Sequence, residues 1–240
     1  IEIAKKYSSE VVVSIFVNPL QFENPNDFSS YPKSVDSDVE LATTSGATKI
    51  WVPTFDEIYP SDPVIIASGA IGNLFEGVHR FGHFDGMLTV VKRLFDLVQP
   101  EFAVFGEKDF QQLFLIKKMV KEMNLPIEII SAPTIRETSG LAMSSRNQRL
   151  SITERESAAG ISRALESAKS ASDLTTARLQ LTKGLLSIPN FLLDYAEIID
   201  GDSFEIADDS TEDCQAIVAG WINGTRLIDN MAMSNLGDSK

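Results

Sequence analysis

The residues best suited to chemistry form the tetrapeptide Gly106-Glu107-Lys108-Asp109, which lies between an apolar run and a segment with helical spacing. Glycine lets the backbone approach a ligand closely. Lys108 would lie near a helix N-terminus, where amide groups and the helix dipole already favour an anion. A cation there can hold phosphate during transfer chemistry. The position therefore indicates a phosphate site, and the alternative is a solvated turn with an ordinary Lys–Asp surface pair.

A second polar cluster lies in the run Gly140-Leu-Ala-Met-Ser-Ser-Arg146. Its two adjacent hydroxyl groups and one guanidinium offer several donors to a polyphosphate, and arginine binds phosphate oxygens in a bidentate manner. The same residue types are typical of a Ser-rich turn that leads into a helix. The chemistry of this run alone favours neither interpretation.

Two glutamines and two histidines complete the candidate set. Gln21 and Gln112 both follow predicted strand ends, where amides suit a hydroxyl or carboxylate ligand. Each glutamine alone is more often a surface or capping residue. His79 and His83 are four residues apart, but the H-E-x-x-H pattern of zinc enzymes is absent. We therefore expect two exposed loop histidines, or one substrate ligand, rather than a zinc site.

Several familiar sites are excluded by the sequence. There is no G-x-x-x-x-G-K-[ST] phosphate loop, because the nearest approach, residues 72–77, is followed by Val78 and His79. The single cysteine, Cys214, excludes an intramolecular disulfide and cysteine-rich zinc sites. Because it lies beside the apolar run 216–219, we expect Cys214 to be a small buried hydrophobic residue rather than a nucleophile.

The composition is that of an acidic globular protein. The 240 residues carry 21 Lys and Arg against 34 Asp and Glu, a formal net charge of −13, and 43% of them are hydrophobic. This balance disfavours nucleic acids and anionic membranes, since Lys and Arg drive binding to both. No run approaches the roughly 18 apolar residues of a spanning helix. We therefore expect a soluble protein with no nucleic-acid or membrane partner, although a compact basic site for a small phosphate ligand is compatible with this charge.

Strands and helices alternate through the first part of the chain. Apolar runs favour strands, and apolar residues three or four apart favour helices. The predicted order is strand 11–17, helix 34–45, strand 49–52, helix 87–97, strand 102–105, helix 110–123 and strand 127–130. This alternation predicts an α/β fold with a doubly wound parallel sheet, in which ligands lie beyond the carboxyl ends of the strands. Residues 18–21 and 106–109 follow such ends.

The pattern changes after residue 132. Ser151 and Glu154 form a capping-box sequence that opens a helix to about residue 170. A second helix is predicted over 174–186, and strand-like runs at 195–199, 215–222 and 226–228 are joined by short loops, hence antiparallel. We predict a Rossmann-like domain over residues 1–132 and a smaller C-terminal α+β domain over residues 133–240.

Taken together, these segments resemble the pantothenate synthetase family (pantoate–β-alanine ligases) over essentially the whole chain. The most specific matches are Phe105-Gly-Glu-Lys-Asp-Phe-Gln-Gln112 and Gly140-Leu-Ala-Met-Ser-Ser-Arg-Asn147. The other matching stretches are Val13-Ser-Ile-Phe-Val-Asn-Pro-Leu-Gln-Phe22, Tyr31-Pro32, Glu57-Ile-Tyr-Pro60 and Arg226-Leu-Ile-Asp-Asn230.

The resemblance implies a two-step ligase of the nucleotidyl-transferase type. Pantoate would attack the α-phosphate of ATP, bound as its Mg²⁺ complex, to give pantoyl adenylate and pyrophosphate. The amine of β-alanine would then displace AMP to give pantothenate. The resemblance further implies a cytoplasmic homodimer whose smaller domain closes over the ATP site, with no metal ligand supplied by the protein.

The resemblance also implies roles for individual residues. The catalytic residues would be those that match the family's phosphate-contacting positions: Lys108, Ser144, Ser145 and Arg146. The remaining ATP-binding positions, which include the ribose side and the backbone that meets the adenine, would be Gly106, Glu107, Asp109, Ile135 and Met143. The pantoate-binding positions would be two glutamines, Gln21 and Gln112, and two residues that line the same cavity, Asn18 and His83.

One departure from the family pattern concerns an H-x-G-H motif on its first βα turn. The 240 residues contain no H-x-G-H. The helical character of residues 1–7, with no strand before them, leads us to expect that an amino-terminal βα unit with this motif precedes Ile1. The alternative function is a nucleotide-binding module without catalysis, which the missing histidines would favour.

Overall fold

The computed structural model describes residues 1–22 and 34–233, which fold into two compact units. The first unit contains Ile1–Phe105 and Gln111–Ala132, and the second contains Gly106–Phe110 and the chain from Pro133 onwards. The tetrapeptide at 106–109 thus belongs with the C-terminal part of the chain. The predicted domain boundary between residues 132 and 133, and the predicted closure of the C-terminal domain over the ATP site, stay predictions.

The first unit is built from alternating strands and helices. Strand β1 pairs with β2 in parallel, with Val13 opposite Ile50, and β3 pairs with β4. This arrangement confirms the predicted α/β class. In chain order the elements are β1 (Val12–Ser14), α1 (Val35–Thr44), β2 (Lys49–Trp51), α2 (Phe55–Ile58), α3 (His83–Val98), β3 (Phe102–Gly106), α4 (Phe110–Glu122) and β4 (Glu128–Ala132).

The core of the first unit is formed mainly by side chains of α3 and α4, against which partly buried residues of the strands pack. Helix α3 is buried continuously over residues 86–91, and α4 contributes a second set of side chains with helical spacing. Full burial of each such side chain contributes about 1.5–3 kcal/mol. The buried residues of this cluster include Met87, Leu88, Val91, Phe95, Leu115, Ile116 and Met119.

The second unit packs two helices against an antiparallel sheet. Its helices are α5 (Ile152–Lys169) and α6 (Leu174–Leu186), and its strands are β5 (Phe191–Asp200), β6 (Cys214–Ile222) and β7 (Thr225–Ala232). Strand β6 lies between β5 and β7 and pairs with both in antiparallel register, as predicted. Cys214 at the start of β6 is buried, as predicted, and burial raises the pKa of its thiol.

Within residues 1–22 and 34–233, no helix combines the length and the apolar character that a membrane crossing requires.

Candidate functional site

Asn18 lies in the turn after β1, and its side-chain amide is engaged by the protein itself. The residue is 2% exposed. Its Nδ2 donates to the Gly86 carbonyl oxygen at 2.9 Å, while its Oδ1 accepts from the Leu20 backbone N–H and the Tyr59 hydroxyl, both at 3.3 Å. Burial raises the pKa of Tyr59 to about 12, so this hydroxyl keeps its proton. The structure makes Asn18 an anchor of the turn that carries Gln21, and its predicted contact with pantoate stays a prediction.

The first turn of α3 holds the same turn in place. His83 Nδ1 lies 2.9 Å from the Gln21 carbonyl oxygen, a contact that places the proton on Nδ1. Gly86 is required here by close approach, because a Cβ atom at this position would lie 2.1 Å from the Leu20 carbonyl oxygen. These contacts bring Asn18, Gln21 and His83 together, and their shared contact with pantoate stays a prediction.

The two histidines differ in environment. His79 is exposed, as expected of a loop histidine, whereas His83 is only 6% exposed and opens α3. The expectation of an exposed loop position is therefore wrong for His83. The predicted helix 87–97 in fact begins four residues earlier, at His83, since Gly82 in the left-handed conformation (φ 70°) starts the helix.

The adjacent glutamines of α4 have different surroundings. Gln111 is buried; its Nε2 donates to the Ile71 and Leu74 carbonyl oxygens at 2.8 and 2.9 Å, and its Oε1 accepts from the Glu76 backbone N–H. Gln112 is partly exposed and its amide has no hydrogen-bond partner among residues 1–22 and 34–233. Gln111 is therefore a structural residue, whereas the amide of Gln112 is available to a ligand.

The loop that carries Lys108 is open where a ligand would approach. A Cβ atom added to Gly106 would meet nothing within 4 Å, so the protein's own packing does not require glycine there. The Lys108 side chain is 17% exposed, and its Nζ lies 3.9 Å from Asp109 Oδ1. That distance makes a weak pair, which leaves the ammonium group available to an anion. Contacts of the loop's main chain, rather than of the Lys108 side chain, fix the position of the loop.

A buried asparagine in β7 makes that main-chain contact. Asn230 Nδ2 donates to the carbonyl oxygens of Glu107 and Lys108 at 2.9 and 2.8 Å. Its Oδ1 accepts from Gln215 Nε2 at 2.7 Å. Asn230 is the last residue of Arg226-Leu-Ile-Asp-Asn230, a stretch that resembles the family, but the resemblance implied no role for it. The signal in the sequence was a pair of polar residues, Asp229 and Asn230, inside an apolar strand.

The segment that carries Ile135 and Met143 is a short antiparallel pair. Arg136 pairs with Ala142, and the Met143 N–H donates to the Ile135 carbonyl oxygen at 2.9 Å. Ile135 and Met143 are 66% and 56% exposed. Two neighbouring exposed apolar side chains form a surface suited to a flat apolar ring such as a nucleobase. This geometry agrees with their predicted place on the adenine side, which stays a prediction.

Residues 144–147 combine exposed donors with a buried anchor. Ser144 is the N-cap of a 3₁₀ turn, where its Oγ accepts from the Arg146 N–H at 3.3 Å, and Ser145 and Arg146 are exposed. Asn147 is 3% exposed, and its Nδ2 donates to Glu137 Oε1 and to the Ala142 carbonyl oxygen, both at 3.0 Å. Its Oδ1 is buried without a partner among the described residues. The predicted phosphate donors therefore stand on a turn that one buried amide fixes.

The predicted residues divide between the two units. Asn18, Gln21, His83 and Gln112 belong to the first unit, and Gly106, Glu107, Lys108, Asp109, Ile135, Met143, Ser144, Ser145 and Arg146 belong to the second. Tyr31 and Pro32 lie outside the described residues. In the described part of the chain no group of three or more His, Cys, Asp or Glu side chains could hold a metal ion.

An α/β unit followed by a helix-backed antiparallel sheet is also the architecture of solved pantothenate synthetases. The structure from Thermus thermophilus matches with a TM-score of 0.90 at 38% identity, over 97% of this chain and 86% of that one. A pantoate–β-alanine ligase from Francisella tularensis, solved with β-γ ATP and β-alanine, matches with a TM-score of 0.76 at 33% identity, over 97% and 82% of the two chains.

Sequence comparison leads to the same family. Pantothenate synthetase from Acidothermus cellulolyticus is 43% identical, over 97% of this chain and 80% of that protein. The pantoate–β-alanine ligase of Schizosaccharomyces pombe is 40% identical, over 95% and 83%. The sequence model described as pantoate-beta-alanine ligase matches residues 1–232. The chain therefore belongs to the pantoate–β-alanine ligase family, as the sequence resemblance predicted.

Proposed function

We propose that this protein joins pantoate to β-alanine at the expense of ATP, through a pantoyl-adenylate intermediate. The observation that carries the proposal is the family match over residues 1–232. The Francisella tularensis ligase was solved in complex with β-γ ATP and β-alanine, which supports the choice of co-substrates. The amides of Gln21 and Gln112, which have no partner among the described residues, and the weakly paired Lys108 ammonium group support the roles proposed for them.

In the first step a pantoate carboxylate oxygen attacks the α-phosphorus of ATP. An O–P bond forms as the bond to pyrophosphate breaks, and the activated carboxyl group now carries AMP as a good leaving group. Negative charge moves onto the pyrophosphate, so fixed cations nearby lower the barrier. Lys108 and Arg146 supply such cations, and the Ser144 and Ser145 hydroxyl groups add hydrogen-bond donors. Mg²⁺ enters as part of the ATP complex.

In the second step the β-alanine amine attacks the acyl carbon of the adenylate. The new C–N bond replaces the C–O bond to AMP, and the amine loses a proton. The amides of Gln21 and Gln112 are proposed to hold the hydroxyl and carboxylate oxygens of pantoate, since neither amide has a partner among the described residues. Gly106 and Asp109 are proposed to border the ribose, with Glu107 alongside, and Ile135 and Met143 to border the adenine.

The test follows the two half-reactions separately. Pantoate-dependent exchange of pyrophosphate into ATP measures the first, and β-alanine-dependent release of AMP measures the second. The proposal requires both activities. ATP binding with neither activity would favour a nucleotide-binding module without catalysis, and no ATP binding would contradict both functions.

Substitution of Lys108 tests the predicted phosphate contact. Lys108→Ala should lower pyrophosphate exchange by about 10²–10³-fold, because one preorganised charge contact to the transition state is lost. Lys117→Ala, which removes an exposed lysine from α4, is the matched control and should leave the rate unchanged. An unaltered exchange rate in Lys108→Ala would contradict the assignment.

The family resemblance also supports a homodimer and a cytoplasmic location. Sedimentation velocity of the purified protein tests the first and fluorescence of a tagged chain tests the second. A monomer at micromolar concentration would contradict the proposed dimer.

A further inference from the structure

Asn230 uses its whole side chain on contacts with other segments. It is 5% exposed, and its Nδ2 has two protons, both of which go to main-chain oxygens of the Lys108 loop. Two carbonyl acceptors on one side fix which end of the amide carries the nitrogen. No amide proton remains for a substrate, so Asn230 cannot act as a donor to a ligand.

The neighbouring aspartate ties the strand to the other predicted nucleotide segment. Asp229 is 4% exposed and its two carboxylate oxygens accept from Arg136 at 2.6 and 3.0 Å. Arg136 also donates to the Gly140 carbonyl oxygen at 3.1 Å and to the Asn230 carbonyl oxygen at 3.3 Å. Asp229 Oδ1 in turn accepts from the Asn230 N–H at 2.8 Å.

Two adjacent residues of β7 therefore contact both predicted nucleotide segments of the second unit. A bidentate Arg–carboxylate pair is a strongly directional contact, so Asp229 fixes Asn230 as well as Arg136. The Lys108 side chain has only the weak 3.9 Å contact with Asp109, so its location depends on where the main chain holds it. A displacement of about 1 Å in a group that contacts the transition state can cost about 10²-fold in rate.

We infer that Asn230 is a positioning residue for the transfer step, which sets the location of Lys108 through the carbonyl groups of Glu107 and Lys108. This inference rests on the proposed function. It assigns a role to a residue whose side-chain amide is already used by other groups of the protein. A merely structural asparagine would stabilise the sheet without any specific coupling to Lys108, and this difference can be measured.

The test is a double-mutant cycle on pantoate-dependent pyrophosphate exchange. Asn230→Asp keeps the shape and the acceptor for Gln215 but turns a carboxylate oxygen toward two carbonyl oxygens. Asn230→Ala removes all of these contacts. Each should lower the maximal exchange rate about 10- to 100-fold, with an unchanged KM for pantoate. In a protein that already carries Lys108→Ala, neither Asn230 substitution should lower the exchange rate by more than about twofold further. The reason is that substitutions that act through the same group do not have additive effects.

The control is a second buried ion pair of the same sheet. Asp194 Oδ2 accepts from Arg226 Nη2 at 2.7 Å, and the two side chains are 14% and 13% exposed. Asp194→Asn should lower the midpoint of thermal unfolding while leaving the exchange rate within about threefold, and its effect should multiply with that of Lys108→Ala.

Multiplicative effects of Asn230 and Lys108 substitutions would overturn the inference. If neither Asn230 variant unfolds cooperatively, Gln215→Leu tests the inference in their place, because it removes only the hydrogen bond that Asn230 Oδ1 accepts. Gln215→Leu should lower exchange without adding to Lys108→Ala, and an unchanged exchange rate would overturn the inference. Failure of the proposed function looks different, because the unsubstituted protein itself would then show no pantoate-dependent exchange.

Discussion

At the scale of single residues, two adjacent glutamines of α4 differ in whether the protein itself already uses their side-chain amides. Gln111 and Gln112 are the same amino acid on the same helical turn, yet only Gln111 is consumed by main-chain hydrogen bonds. The resemblance places Asn18 beside Gln21 in the pantoate set, and its amide is engaged by Gly86, Leu20 and Tyr59. A sequence cannot reveal which amide is already used, because those partners lie up to 68 residues away.

Alanine substitution separates the two glutamines of α4. Gln112→Ala and Gln21→Ala should each weaken pantoate binding by about 1–3 kcal/mol, because a polar group of the ligand is left unpaired, with ATP affinity little changed. Gln111→Ala should instead lower the unfolding temperature, since three main-chain groups each lose a hydrogen bond to the Gln111 amide. Calorimetric titration with each ligand and thermal unfolding make the comparison. Equal losses of pantoate and ATP affinity in both ligand variants would indicate a folding defect.

Two glycines give a second matched pair. Gly106→Ala should leave stability unchanged, because its Cβ atom meets nothing within 4 Å, but should weaken ATP binding if the nucleotide approaches the backbone there. Gly86→Ala should destabilise the protein by about 1–3 kcal/mol, since the new Cβ atom meets the rigid Leu20 carbonyl group. Chemical denaturation and ATP titration distinguish the two outcomes. Unchanged ATP affinity in Gly106→Ala would remove Gly106 from the nucleotide site.

At the scale of elements, helices were predicted better than strands because their signals are local. Residues 174–186 form α6 as predicted, and the Ser151–Glu154 capping box opens α5. Strand β7 extends over Thr225–Ala232 instead of 226–228, because Asp229 and Asn230 interrupt the apolar pattern and are stabilised by distant partners, Arg136 and Gln215. Strand β5 likewise contains Asp194, which pairs with Arg226. Polar residues inside strands become interpretable only when their partners are known.

The capping box of α5 should make stability depend on pH in a defined direction. The Ser151 backbone N–H donates to Glu154 at 2.7 Å, which lowers the pKa of this carboxyl group from its ordinary 4.5. The ionised form is therefore favoured by folding, so its contribution is full above about pH 4.5 and is lost as the pH falls through the lower folded pKa. Glu154→Gln keeps an acceptor without a charge.

Thermal unfolding between about pH 3 and 7, a range that includes the ordinary pKa values of carboxyl groups, measures this effect. The loss of unfolding temperature on acidification should be smaller in Glu154→Gln than in the unsubstituted protein. Glu156→Gln, an exposed position on the same helix, is the control and should retain the full loss. Identical acid profiles for all three proteins would contradict a role for Glu154 ionisation in the cap.

At the scale of the whole molecule, the residues predicted to contact pantoate and those predicted to contact ATP belong to different units. Every predicted pantoate residue belongs to the first unit, and every predicted ATP residue belongs to the second, because residues 106–110 are part of it. The sequence placed that loop correctly after a strand, whereas the Asn230 contacts that tie it to β7 within the second unit join positions 122 and 123 residues apart. Long-range pairing of this kind has no signature in local periodicity.

This division predicts where each substrate protects the backbone from hydrogen exchange. ATP alone should slow exchange at residues 106–110 and 135–149, whereas pantoate alone should slow it at residues 18–22 and 83–86. A ligand at about 100 times its Kd stabilises the bound form by about 2.7 kcal/mol, so amides that exchange only when the site opens should slow by up to about 100-fold. Helix α6, which carries no predicted ligand contact, serves as the internal control and should exchange at the same rate with either ligand. Mass spectrometry of peptides after timed deuterium labelling measures the exchange of all four segments in one experiment. Protection of residues 135–149 by pantoate alone, with residues 18–22 unaffected, would show that the two ligand sets have been assigned to the wrong units.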